Sequence, residues 1–204
     1  VSTVFYDEKL ENAVQADERA HELDWIPKAV VWYSTTRLPQ HAQSEREKSF
    51  YNRAEVQEID RLLRRMEASY QAQGKTREVA VITPYNAQIV ELHEQVRPTS
   101  SFWRSLKIEI ATVDAFQGRD RDIVLYSTVR SNKELVLGFL KDQRRLNVAL
   151  SRARQLLIIV GDLWMLENGR AGRNGNPYQD LIRYMRENPE DCLIQDIRRE
   201  RPHV

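Results

Sequence analysis

Leu156-Leu157-Ile158-Ile159-Val160-Gly161-Asp162 is a run of five apolar residues, three of them β-branched, stopped by a glycine and an aspartate. A run this short and this uniformly apolar predicts a strand covered on both faces of its sheet. Just before it, Leu146, Ala149, Leu150 and Ala153 fall at i, i+3, i+4 and i+7, one apolar face of a helix. Further upstream the alternation repeats. Val79-Ala80-Val81-Ile82 predicts a strand ending at Thr83-Pro84, and Ile89, Leu92 and Val96 mark the helix after it. Ile108 to Val113 and Asp122 to Ser127 read as two more strands, and Ala29 to Tyr33 as another. Val56, Ile59, Leu62, Leu63 and Met66 recur at helical spacing. Strands alternating with helices predict an α/β fold with a mostly parallel sheet sandwiched between helices. Ligands of such sheets bind beyond the carboxyl ends of the strands. Thr83, Asp114 to Gly118, and Gly161-Asp162 stand where apolar runs end, which predicts one functional edge.

Length and composition bound the rest. The 204 residues, 41% apolar and 30% charged, suit one globular domain. We assign residues 1–190 to it, with 35–48 a polar loop and 191–204 a C-terminal extension. The start, Val1-Ser2-Thr3-Val4-Phe5-Tyr6, lacks an initiator Met and reads as a cut inside a larger protein. One cysteine, Cys192, cannot form an internal disulfide, and no stretch has the length of a membrane span, so an intracellular, cytoplasmic or nuclear setting is expected. The four histidines lie at no metal-ligand spacing, so no metal site is expected. Net charge is +1, yet Arg119 to Arg154 carries nine Lys/Arg against four Asp/Glu, so positive charge is concentrated there. Trp25, Trp32, Trp103 and Trp164 read as packing residues, Trp103 being the one to test as a nucleic-acid contact, and Cys192 as a small buried apolar residue.

Three segments carry chemistry. In Val81-Ile82-Thr83-Pro84-Tyr85-Asn86-Ala87-Gln88, Thr83 and Gln88 offer neutral donors to phosphate oxygens, and Tyr85 offers a ring for base stacking. In Ala111-Thr112-Val113-Asp114-Ala115-Phe116-Gln117-Gly118-Arg119-Asp120, Gly118 leaves backbone open to a ligand and Asp120 can accept from a ribose hydroxyl. In the third, Gly138-Phe139-Leu140 followed by Arg144-Arg145-Leu146-Asn147-Val148-Ala149-Leu150-Ser151-Arg152-Ala153-Arg154, Arg145 and Arg152 are seven apart. On a continuous helix they would point the same way, towards a phosphate.

In this order and at these spacings the segments resemble motifs IV, V and VI of superfamily 1B helicases, in the branch of the nonsense-mediated-decay helicase. Phe5-Tyr6-Asp7-Glu8-Lys9-Leu10 is similar to the stretch after that family's Gln-Tyr-Arg motif, and Ser49-Phe50-Tyr51-Asn52-Arg53-Ala54-Glu55 to another of its landmarks. The resemblance runs from about residue 5 to Leu163. It implies a RecA-like fold of the P-loop NTPase type that pairs with the N-terminal RecA-like domain of the same polypeptide around ATP and Mg2+. It further implies that Arg152 is the arginine finger, that Gln117, Gly118, Asp120 and Arg145 help bind ATP, and that Thr83, Tyr85, Gln88, Thr112, Arg130 and Asn132 follow single-stranded DNA or RNA. Movement 5′ to 3′ is implied as well.

The chain departs from the family pattern at Asp120, where Glu is common, and at Ser151, where Thr is common. Gly-x-x-x-x-Gly-Lys-[Ser/Thr] is nowhere in it, so half an ATP site and no ATPase activity in isolation are expected. The alternative is a non-catalytic RecA-like module that binds nucleic acid or protein. A nucleotide enzyme with a dinucleotide-binding sheet is disfavoured, because no Gly-x-Gly-x-x-Gly follows a strand.

Overall fold

The computed structural model describes residues 20–116, 118–170, 172 and 175–198. Six strands form one sheet: β1 (Val30–Ser34), β4 (Arg77–Thr83), β5 (Leu106–Thr112), β6 (Arg121–Ser127), β7 (Ala153–Gly161) and β8 (Cys192–Asp196). Their order is β5-β4-β6-β7-β1-β8, and every neighbouring pair is parallel. Alternate side chains bury on opposite faces, which is why the runs are apolar throughout. Val79, Val81, Ile123, Leu125, Leu156 and Ile158 pack on one face under α1 (Arg53–Gln73) and α2 (Asn86–Val96). Ala80, Ile82, Val124, Tyr126, Leu157 and Ile159 pack on the other, under α3 (Gln143–Leu150), α4 (Leu163–Asn168) and α5 (Pro177–Glu187).

Helix ends follow local chemistry. Asn52 caps α1 by accepting from the Glu55 amide, and Gly74 closes it in the left-handed region. Ile59, Leu62, Leu63 and Met66 on this helix are fully buried, each stabilising by about 1.5–3 kcal/mol. Asp142 caps α3 by accepting from the amides of Arg144 and Arg145.

Several expectations need correction. The helix read through Ala153 ends at Leu150. Parallel pairing of β6 with β7 begins at Arg121 and Ala153, and the Arg121 amide donates to Arg152 O, so the backbone there belongs to the sheet. Within the extension read at 191–204, Cys192–Asp196 is β8, which pairs with β1 and edges the sheet. Within the loop read at 35–48, Ser44–Arg46 forms β2, which pairs antiparallel with β3 (Ser49–Tyr51). The turn between them places Glu47 and Lys48 both at positive φ, a two-residue hairpin geometry built without glycine. Trp32 is fully buried and Trp25 packs against the first core, but Trp164 is 55% exposed. Trp103 is partly buried, and its Nε1 donates to the carbonyls of Val96 and Arg97. Cys192 is buried as expected. Among the described residues, no helix is long and apolar enough to cross a membrane.

Candidate nucleotide and nucleic-acid interface

Thr83, Asp114 and Gly161-Asp162, expected to share one edge, follow the carboxyl ends of β4, β5 and β7, while Asp120 and Arg152 lie at the amino ends of β6 and β7. β5 runs parallel to β6 with β4 between them, so the connection 113–120 must cross from the carboxyl end of β5 to the amino end of β6. It crosses on the second face, with Val113 and Phe116 buried in that core. Thr83, Tyr85, Gln88, Arg130 and Asn132 gather where β4 and β6 end. Asp120 stands where β6 begins, beside Arg152 at the start of β7.

The crossing segment and the segment around α3 lie side by side and are joined by two ion pairs. Arg145 bonds Asp114 with two nitrogens, Nε to Oδ1 at 3.2 Å and Nη2 to Oδ2 at 2.9 Å. Arg152 donates from Nη1 to Asp120 Oδ1 at 2.9 Å, from Nη2 to Ser151 Oγ at 3.0 Å and from Nε to Val148 O at 3.3 Å. Arg152 stands in the turn after α3, so the two guanidiniums do not share a helix face. They meet one acidic segment because sheet topology lays that segment along them. Gly118 sits in the same segment at φ 79, with open space where a Cβ would be. Gln117 lies outside the described residues, as do residues 5–10 with their family landmark.

At the carboxyl edge much of the expected strand-binding set is turned inward. Gln88 is fully buried: its Oε1 accepts from the Asn52 amide at 2.8 Å, and its Nε2 donates to Ser127 Oγ at 2.8 Å and Asn52 O at 3.3 Å. No donor is left for a phosphate, so its expected contact is corrected to a supporting role. Tyr85 is 2% exposed, between the rings of Phe50 and Phe139, which rules out its own face as an open stacking surface. Thr83 is buried, and its Oγ1 has no hydrogen-bond partner among the described residues. Thr112 Oγ1 accepts from the Ala115 amide, holding the start of the crossing. Arg130 is 4% exposed, gives Nε and Nη2 to Val136 O, and lies over the Phe50 ring. Asn132 brackets Val136, accepting from its amide and donating to its carbonyl.

Sequence reasoning assigned no role to Asn52 or Glu55, although Asn52-x-x-Glu55 ahead of an apolar run is a helix-start signal. In a capping box the glutamate would return to the Asn52 amide. Here Gln88 takes that amide, and Glu55 turns to the end of β6. Its Oε2 accepts from Ser127 Oγ at 2.6 Å and the Val129 amide at 2.9 Å, and its Oε1 from Thr128 Oγ1 at 3.3 Å. Burial pushes the Glu55 carboxyl up to about 8 against the pull of these donors. Beside it, Asp162 accepts from Thr36 Oγ1 and Ser131 Oγ, both at 2.7 Å, and from the Met165 amide. Two buried acidic side chains thus hold the loops leaving β6, β7 and β1. A groove of about 1000 Å³ between α1 and β8 is lined by none of the candidate nucleotide- or strand-binding residues.

Residues 1–163 match a family model described as an AAA domain. The ATP-dependent helicase NAM7 of Saccharomyces cerevisiae is 31% identical over 95% of this chain and 19% of its own length. A regulator of nonsense transcripts 1 homolog of Drosophila melanogaster is 39% identical over 79% of this chain and 14% of its own. The DNA polymerase alpha-associated DNA helicase A of Saccharomyces cerevisiae is 44% identical over 49% of this chain and 14% of its own. The chain therefore spans less than a fifth of the length of these relatives. With the family model covering most of the chain and these helicases as relatives, the chain belongs to the AAA-domain family, in the superfamily 1 helicase branch of the regulators of nonsense transcripts.

Proposed function

We propose that this chain is the second motor domain of an ATP-dependent nucleic-acid helicase. It supplies arginines to an ATP site completed by a first RecA-like domain, and it grips one strand at the carboxyl edge of its sheet. The observation that carries this reading is the pair of guanidiniums, Arg145 and Arg152, each held by a part-exposed carboxylate of a single crossing segment. Ion pairs of this exposure contribute about 0–1 kcal/mol, so a phosphate oxygen displaces the carboxylate at little cost.

The donor set fits the phosphates of ATP: two arginines, with Gly118 uncovered between their partners. Among the described residues, no group of His, Cys, Asp or Glu could hold a metal ion. In this reading Mg2+ is held from the first domain. ATP supplies the phosphoryl group and the energy of its transfer. Arg152 neutralises charge developing on the transferred group, Arg145 holds a neighbouring oxygen, and Asp120, released from Arg152, accepts from a ribose hydroxyl. Closing and opening of the two domains alternates their grip on the strand, and family resemblance points to 5′-to-3′ movement. The chain alone is inactive as an ATPase, and its setting is the cytoplasm or nucleus.

The test joins this chain to a first motor domain and measures ATP turnover with and without single-stranded DNA or RNA. Arg152→Ala should cut stimulated turnover by roughly 10³–10⁵-fold while ATP binding is largely kept. Unchanged turnover would remove Arg152 from the catalytic role. A folded two-domain protein with an intact phosphate loop and no turnover would favour a non-catalytic binding module.

A further inference from the structure

Phe139 is the most exposed of the described large apolar side chains, at 57%, and its surroundings hold it there. It lies on the turn Gly138–Lys141 between Leu137 and Leu140, which are 0% and 2% exposed. That turn is clamped at Val136, whose carbonyl accepts from Arg130 Nε at 3.1 Å, Arg130 Nη2 at 2.7 Å and Asn132 Nδ2 at 3.1 Å, and whose amide donates to Asn132 Oδ1 at 2.9 Å. Gly138 has φ 59, and a Cβ there would stand 3.1 Å from Tyr85 Oη and 3.6 Å from Arg130 Cζ. The turn thus rests directly on Tyr85 and Arg130, an approach that a side chain at position 138 would crowd. The Tyr85 ring packs against Phe139 tilted by 41°, with centroids 5.7 Å apart, and the Arg145 guanidinium lies over the Phe139 ring 5.5 Å from its centroid. Lys133, Lys141 and Arg144 nearby in sequence are exposed.

We propose that Phe139 is the base-stacking residue of this domain, taking the face of one unpaired base of a single strand. The proposal deepens the helicase reading above and rests on it. An exposed aromatic ring packed against a second ring, with a guanidinium on it and exposed cations close in sequence, is a combination that binds single strands without base preference: cations draw the phosphates and the open part of the ring takes a base. The arrangement gives Arg130 and Asn132 a different task from the direct contact expected of them. They shape the turn that presents Phe139. Through Arg145 the same ring adjoins the proposed phosphate-binding arginines, so a base seated on it would touch both halves of the cycle.

The test measures binding of labelled oligothymidylate and oligouridylate to the 204-residue chain, beside an abasic strand of equal length, at low and raised salt. Phe139→Ala should weaken binding to the base-bearing strands by roughly 5- to 150-fold, the loss of one stacked base. The loss should be the same at both salt concentrations, because no phosphate contact is removed. Affinity for the abasic strand should not change, and Phe139→Trp should restore binding to the others. Equal loss on the abasic strand, or no loss on any strand, would overturn the stacking role and leave the helicase reading standing. Failure of the unaltered chain to bind any single strand would overturn the strand grip and the stacking role together. In the two-domain protein, Phe139→Ala that lowers turnover with strand affinity intact would assign the ring to a domain–domain contact instead.

Discussion

Glu55→Gln should remove a loss of stability that the native chain suffers as pH rises. Glu55 is wholly buried, and burial lifts its carboxyl from the ordinary 4.5 to about 8. Between those values the folded chain holds a proton that the unfolded chain has released. The stabilisation from the neutral carboxyl is therefore complete below pH 4.5 and is lost as pH rises towards 8. The slope approaches about 1.4 kcal/mol per pH unit, so going from pH 5 to pH 7 costs roughly 2–3 kcal/mol through this residue alone. Glutamine keeps the shape. Its carbonyl can still accept from Ser127 Oγ and the Val129 amide, and its amide can donate to Thr128 Oγ1. It has no proton to lose, so the variant should gain stability relative to the native chain as pH rises. Urea unfolding of both chains from pH 5 to pH 8 gives the difference directly, since every other titrating group is common to the two. Parallel curves would refute the argument. They would mean that the three donors hold Glu55 ionised despite its burial.

Gly161→Ala places a Cβ 1.9 Å from Thr128 Oγ1, with Thr128 Cβ at 3.0 Å, and should cost about 1–3 kcal/mol by thermal or urea unfolding. Thr128→Ala in the same chain should recover part of that loss, and no recovery would place the strain elsewhere. Gln88→Ala leaves the Asn52 amide without its acceptor and removes the donor to Ser127 Oγ, and should destabilise by about 1–3 kcal/mol. Strand affinity per folded molecule should stay unchanged, and a selective loss of affinity would restore Gln88 to the binding surface.

The sheet was legible where its strands are buried on both faces. The apolar runs at Val79, Asp122 and Leu156 match β4, β6 and β7 to within a few residues, because every position there must be apolar whichever way it points. β8 was not legible: as an edge strand it reads Cys192-Leu193-Ile194-Gln195-Asp196, and its half-polar composition resembles a tail. The β2–β3 turn carries Glu47-Lys48, without the glycine or asparagine that would announce it. Helical spacing misplaced Arg152 because Ala153 satisfies both the helix period and the first position of a strand, and only the ladder with Arg121 decides between them.

At the site, residue type carried further than periodicity. The arginines and Asp120 stand out in the sequence as charged groups, yet what brings them together is the diagonal crossing between β5 and β6, a property of strand order that no local pattern encodes. The inward turn of Gln88 depends equally on a distant element. It is buried because the first amide of α1 needs an acceptor once Glu55 has left for Ser127 and Val129, and Gln88 is the side chain within reach. A polar residue at a strand exit can therefore either face a ligand or satisfy a buried helix end. The choice is fixed by which helix starts beside it, and of the side chains at this edge Gln88 and Tyr85 are buried while Phe139 faces outward.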